Sequence, residues 1–166
     1  MKDVPFVISN NSTLIHIDYE LSGMKINELL NDLFNSLNQK CRFAIIGTSY
    51  GTIKLVSYDP LNIKTNPLSN ALKIVECLLS LLEKQRDIGI KIATGLLKAV
   101  TLCYQDVHTD LVGDPANELE DLKTITSRIV VSKKFWDIYL ASVPEDRRIA
   151  CRHVPVMNGT VIQLWQ

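Results

Sequence analysis

The sequence predicts an α+β fold: a mainly antiparallel sheet in ferredoxin-like βαββαβ order, extended at the C-terminal end by further helices and a hairpin. Three observations predict it. Two long stretches repeat apolar residues at helical spacing, the mark of one-sided helices. Short runs rich in β-branched residues stand before, between and after them. Turn signals such as Gly51-Thr52 and Asn158-Gly159 separate neighbouring runs.

Residues 13–19, TLIHIDY, alternate and read as a strand, with Ile15 and Ile17 on one face and Leu14, His16 and Asp18 on the other. Met24, Ile26, Leu29, Leu30, Leu33, Phe34 and Leu37 place a helix over 24–39. Strands near 42–50 and 52–58 meet at Gly51-Thr52, and the polar, proline-bearing residues 59–67 form a loop. Leu72, Val75, Leu78, Leu79 and Leu82 place the second helix over 68–85. IGIKIATG and LKAVTLCY add strands at 88–95 and 97–104. These five strands are expected to form one sheet with both long helices on one face.

The polar stretch 105–115 is expected to lead into a short helix over 116–125, with Pro115 at the opening turn, where its missing N–H costs nothing. IVVS at 129–132 reads as a strand, 133–141 as a helix, and 149–165 as two strands turning at Asn158-Gly159. No linker divides the chain and no solenoid-period repeat occurs, so residues 1–166 read as one domain.

With 166 residues, the chain is long enough to bury a core without metal or disulfide staples. Lys plus Arg and Asp plus Glu are 18 each, so the formal net charge is zero. That balance gives no general pull toward nucleic acid or anionic lipid, and neither is expected as a partner. The longest apolar run, Cys77 to Leu82, falls far short of the roughly 18 residues of a membrane span. MKDVPFVISNNST lacks a signal peptide's apolar core. Cys41, Cys77, Cys103 and Cys151 are widely spread, with no CxxC pair, and read as reduced, mostly buried thiols. A soluble, cytoplasmic domain requiring no cofactor of its own is the expectation.

Most motif tests fail. Gly47-Thr48-Ser49-Tyr50-Gly51-Thr52 lacks the Lys-Ser/Thr and the helix that a P-loop needs, and Gly95-Leu96-Leu97-Lys98 fails similarly. No GxSxG is present, and histidines at 16, 108 and 153 define no Ser-His-Asp set. Glu145-Asp146-Arg147-Arg148, with Arg152 and His153, mixes signs and reads as a solvated loop face. Phe135, Trp136 and Trp165 read as core or interface.

Asp18 stands out because it ends an otherwise apolar strand on the face that carries His16. Two residues along a strand are about 6.6 Å apart, so one cation could approach both. The same carboxylate could equally stand in solvent or cap a turn. A lone carboxylate rarely holds Mg²⁺, so a second one on a neighbouring strand would be needed.

The ordered set of segments resembles the class III nucleotide cyclase catalytic domain, the adenylate/guanylate cyclase homology domain. T-L-I-H-I-D-Y-E-L-S-G-M is similar to that family's first strand, and I-K-I-A-T-G-L-L-K-A-V to its R-I-G-I-H-T-G-x-V-x-A-G strand pair. D-L-V-G-D-P-A-N-E-L-E-D-L, residues 110–122, resembles D-x-x-G-x-x-V-N-x-A-x-R-L, and I-V-V-S-K-K-F-W resembles the strand and helix that follow. The resemblance runs from about residue 13 to 165.

It implies a nucleotide-cyclase-like fold and a site formed head to tail between two protomers. In the family, two aspartates hold two Mg²⁺ or Mn²⁺ ions that activate the ribose 3′-hydroxyl for attack on the α-phosphate. A Lys and an Asp read the purine, and an Asn and an Arg orient the ribose and neutralise transition-state charge. By resemblance, Asp18 is the first metal aspartate, although the glycine expected three residues later is Leu21. Asp110 matches the purine-reading Asp, Asn117 the ribose-orienting Asn, and Thr48 falls near the purine-reading Lys. Thr52 stands where the second metal aspartate belongs, and Asp121 where the phosphate-neutralising Arg belongs. Each loss would typically cost several kcal/mol at the transition state, together roughly 10⁴-fold or more in rate.

Two readings follow from the resemblance. In the first, the domain is catalytically inactive, so that no residue is catalytic, and works as a dimerising regulatory or ligand/nucleotide-binding module in signalling. Asp110, Asn117 and Thr48 would line a nucleotide pocket, and Mg²⁺ or Mn²⁺ at Asp18 would accompany a bound nucleotide. In the second, it is a divergent active cyclase that forms 3′,5′-cyclic nucleotide with replacement ligands such as His16, Asp18 and Asp59. The expected partner is a second copy or a related cyclase-like domain, meeting through Ile92, Leu96, Leu97, Val100, Val154, Val156, Val161 and Leu164.

Overall fold

The computed structural model describes residues 12–20, 23–37, 43–49, 51–57, 67–104, 106–126, 128–148 and 151–164. The first six elements are β1 (Ser12–Tyr19), α1 (Gly23–Leu37), β2 (Phe43–Ser49), β3 (Thr52–Ser57), α2 (Pro67–Lys84) and β4 (Ile88–Gly95). Their strands lie in the order β2-β3-β1-β4, all antiparallel, as the split βαβ pattern predicts. The predicted loop over 59–67 lies outside the described residues, apart from Pro67, which opens α2.

The second half holds β5 (Lys98–Tyr104), β6 (Asp106–Val112), α3 (Asp114–Asp121), β7 (Ile129–Ser132), α4 (Lys133–Ser142), β8 (Cys151–Val156) and β9 (Gly159–Leu164). β7 joins β4 in parallel, and β9 and β8 continue the sheet antiparallel, giving seven strands among the described residues.

Alternation along β1 sorts its side chains between two cores. Ile15 and Ile17 join Ile53, Leu55, Ile90 and Ile92 under Leu29 and Leu33 of α1, Leu78 and Leu82 of α2, and Phe135 and Tyr139 of α4. Leu14 faces the other way, with Val56, Ala93, Val130 and Val161, under Leu119 of α3 and Leu122. A sheet covered on both faces explains why its central strands read as almost unbroken apolar runs.

Three expectations are corrected. Residues 97–104 do not extend the main sheet: β5 pairs with β6 alone, as a separate two-stranded ribbon. The polar stretch 105–115 is therefore largely strand. Alternating Val107, Thr109 and Leu111 fit a pleat, but Asp106, His108 and Asp110 between them masked it. The short helix starts at Asp114 and ends at Asp121 rather than spanning 116–125. Proline sits in its first turn, as expected.

Two smaller readings also change. Ile92, Leu97 and Val161 are core residues rather than surface; Leu96, Val154 and Val156 are exposed, and the side chains of Val100 and Leu164 lie outside the described set. In the charged loop, Glu145 and Asp146 are exposed, but Arg148 turns back to donate to the carbonyls of Val143 and Leu140 at 3.1 and 3.2 Å. It thereby satisfies α4 end carbonyls. Trp136 packs against the core and stacks on Tyr139 with ring centroids 5.2 Å apart, in keeping with its predicted place; Trp165 lies outside the described residues.

Candidate functional site

Asp18 is the penultimate residue of β1, opposite Thr52 of β3 on one side and Gly89 of β4 on the other. The β2–β3 turn closes beside it. Gly51 takes φ 83°, a left-handed conformation that suits glycine, and its carbonyl accepts from the Tyr19 N–H at 2.8 Å. That bond extends the ladder and sets Thr52 at the mouth of the site.

Both oxygens of the Asp18 carboxylate are engaged. Thr52 Oγ1 donates to Oδ1 at 2.7 Å, and Thr124 Oγ1 donates to Oδ2. The Lys91 ammonium lies 3.9 Å from Oδ2. Lys91 also donates to the Leu119 carbonyl at 3.2 Å, near the end of α3. The two charged side chains are 14% and 26% exposed, Lys91 the more buried, so water screens this pair only partly.

Thr124 reaches Asp18 because residue 89 has no side chain. A Cβ on Gly89 would collide with the Thr124 methyl and come within 2.9 Å of the Ile125 carbonyl. The segment after α3 therefore crosses directly over β4 at that point.

His16 lies two residues back on β1, opposite Lys54 on β3 and Lys91 on β4. Burial, then the Lys91 and Lys54 charges, push its pKa down to about 4, against a smaller opposing pull from Asp18. The imidazole is neutral at pH 7.

A cleft of about 460 Å³ opens at this end of the sheet, lined among others by Asp18, Glu20, Thr52, Asp87, Thr124 and Thr126. Its walls are hydroxyls and carboxylates. A divalent ion held as in the cyclase pattern needs two converging carboxylates, and its hard charge disfavours a nearby ammonium. Here the register partner of Asp18 is a threonine hydroxyl, and Lys91 lies against the same carboxylate. Among the described residues, no group of three or more His, Cys, Asp or Glu could hold a metal. The donor set at Asp18 does not fit such an ion.

The chain superposes along its whole length on solved nucleotide cyclase domains. The catalytic core of a rhodopsin-guanylyl cyclase with converted specificity, in complex with ATPαS, matches at TM-score 0.68 and 15% identity, over 99% of this chain and 100% of that one. The chain has the class III nucleotide cyclase fold. The adenylyl cyclase CyaB from P. aeruginosa matches at TM-score 0.65 and 13% identity, over 100% of this chain and 97% of that one. A non-canonical dimeric guanylyl cyclase domain of the RhoGC fusion protein from the aquatic fungus Blastocladiella emersonii matches at TM-score 0.66 and 14% identity, over 97% of this chain and 95% of that one. No family model and no curated relative matches the sequence.

Within this cyclase fold, the structure brings together Asp18 and Thr52, which by resemblance stand at the positions of the two metal aspartates. Asn117 and Asp121 are both exposed on α3, four residues apart and so on one side of the helix. Asp110 lies on β6, paired with Val100, and Thr48 lies on β2, paired with Ile53; their side chains fall outside the described set, as does Asp59. Sequence reasoning missed Lys91 and Thr124. Lys91 had a signal: it is the one charged residue in IGIKIATG, a largely apolar strand. Thr124 had none.

Proposed function

We propose that this chain is a catalytically inactive nucleotide-cyclase-like domain that acts by binding, as a dimerising regulatory or ligand/nucleotide-binding module in signalling. The observation that carries this reading is the Thr52 hydroxyl donating to Asp18 where a cyclase would need a second carboxylate. A neutral hydroxyl is a poor metal ligand beside a triphosphate. Asp121 adds to it: an exposed carboxylate on α3 would repel phosphates where the family pattern has an arginine.

Asn117 and Asp110, with Thr48, are the residues proposed to contact a nucleotide, accompanied by Mg²⁺ or Mn²⁺ only if the ligand itself brings the ion. Purified protein given ATP, GTP, CTP or UTP with Mn²⁺ is expected to form no cyclic nucleotide above background. Turnover that disappears in an Asp18→Ala variant would overturn the proposal in favour of a divergent active cyclase. The proposed partner is a second copy or a related cyclase-like domain. Among the described residues, no helix is long and apolar enough to cross a membrane.

A further inference from the structure

We propose that Lys91 is a built-in counter-ion that takes the place of a divalent cation at Asp18, so that Asp18 anchors α3 and the segment behind it. The inference rests on the inactive reading above and says what its altered site does instead.

Three contacts meet at one carboxylate, and a fourth extends from its counter-ion. The Thr52 hydroxyl, from the start of β3, occupies Oδ1 at 2.7 Å. The Thr124 hydroxyl, from the segment after α3, occupies Oδ2. Lys91 stands 3.9 Å from the same oxygen and is only 14% exposed. Its ammonium also takes the Leu119 carbonyl at 3.2 Å. That carbonyl belongs to the last turn of α3, where carbonyls lack helical partners and the helix dipole favours a positive charge.

A charge partly withdrawn from water is stabilised by an opposite charge nearby. Asp18 finds its partner in a side chain two residues beyond its register position on β4, the diagonal neighbour across an antiparallel pair. A tethered ammonium is always present, whereas a dissolved ion must be captured. Its charge also opposes the entry of a second cation at the same oxygen. Asp18 thus links the end of β1 to α3 through Lys91 and Leu119, and directly to the segment after α3 through Thr124. Asn117 and Asp121 ride on that helix.

Mn²⁺ alone, followed by water proton relaxation on the intact chain without nucleotide, tests this. Wild type is expected to show no Mn²⁺ site that Asp18→Asn removes. Thr52→Asp restores a second carboxylate at the register partner of Asp18; Thr52→Asp/Lys91→Met is expected to bind Mn²⁺ about tenfold or more tighter than Thr52→Asp alone, which keeps the ammonium, and adding Asp18→Asn to abolish that site. A wild-type Mn²⁺ site that Asp18→Asn empties overturns the proposal, and this comparison needs no folded Lys91 variant. A folded Thr52→Asp/Lys91→Met protein that binds Mn²⁺ no more tightly than Thr52→Asp alone overturns it too. Mn²⁺ binding at Asp18 without turnover removes this inference alone; cyclic nucleotide formation dependent on Asp18 removes the inactive reading.

Discussion

His16 stands between two lysines on neighbouring strands, half-buried, with its pKa lowered from 6.5 to about 4. The sign of the consequence is fixed. Between those values the unfolded chain binds the proton and the folded chain does not, so protonation favours unfolding. The His16 contribution is full above about pH 6.5 and is lost as the pH falls toward 4. Urea denaturation at pH 7.5 and pH 5 is expected to show the acid loss of stability in wild type and a smaller loss in His16→Gln. Gly89 makes a second prediction at this scale. A methyl group there meets the Thr124 side chain and the Ile125 carbonyl, so Gly89→Ala is expected to destabilise by about 1–3 kcal/mol in the same denaturation assay.

The helices owe their stability to different local devices. α4 starts where Ser132 ends β7, and the Ser132 hydroxyl accepts from the Phe135 N–H at 3.2 Å, a buried N-cap. Ser132→Ala is expected to cost about 1 kcal/mol, measured by the shift of the thermal or urea midpoint. α2 depends on burial. Leu78, fully buried against the sheet, should cost about 2–5 kcal/mol when cut back to alanine. α2 was readable in sequence because a 3.6-residue period is a local signal; the α4 helix was read too, but its Ser132 cap was not. α3 was displaced in the reading because its apolar face is short: only Pro115 and Leu119 are buried along it. The ribbon of β5 and β6 was half legible. β5 was read as a strand, but β6 was read as a polar stretch, and their pairing with each other depends on where the main sheet ends.

At the scale of the whole molecule, an exposed apolar group lies at each of two chain turns. Leu96 follows β4, and Met157 sits at the β8–β9 turn, 55% and 87% exposed, with Val154 and Val156 on the edge strand leading to it. Surfaces of that kind commonly mark association. Light scattering at micromolar concentration is expected to show a dimer of the chain, or a monomer that pairs when a related domain is added. Such an interface would bury at least about 1,000 Å² in total. Leu96→Asp is expected to weaken it, because a charge buried at an interface loses its water. A lone monomer of 18.7 kDa, unresponsive to Leu96→Asp and to any related domain, would leave a ligand-binding domain that acts alone.

The residues of TLIHIDY determined by themselves that a strand would form, which face Asp18 would share with His16, and that Ile15 and Ile17 would turn the other way. Alternation needs only neighbours in the chain. The βαββαβ order was equally local, since its connections are short and its helices long. Asp18 and Thr52 were assigned to one site by the resemblance alone, and the β1–β3 register is what sets them opposite each other. What only the tertiary structure decided is the company Asp18 keeps. Thr124 lies 106 residues away in sequence and reaches Asp18 because Gly89 lets a loop pass over the sheet. Lys91 becomes a counter-ion only once β4 is set beside β1 in one register, and a shift of a single residue would turn its side chain to the other face. Charge neutralisation at a buried group depends on distance and not on sequence spacing, so it was settled when the strands and α3 packed.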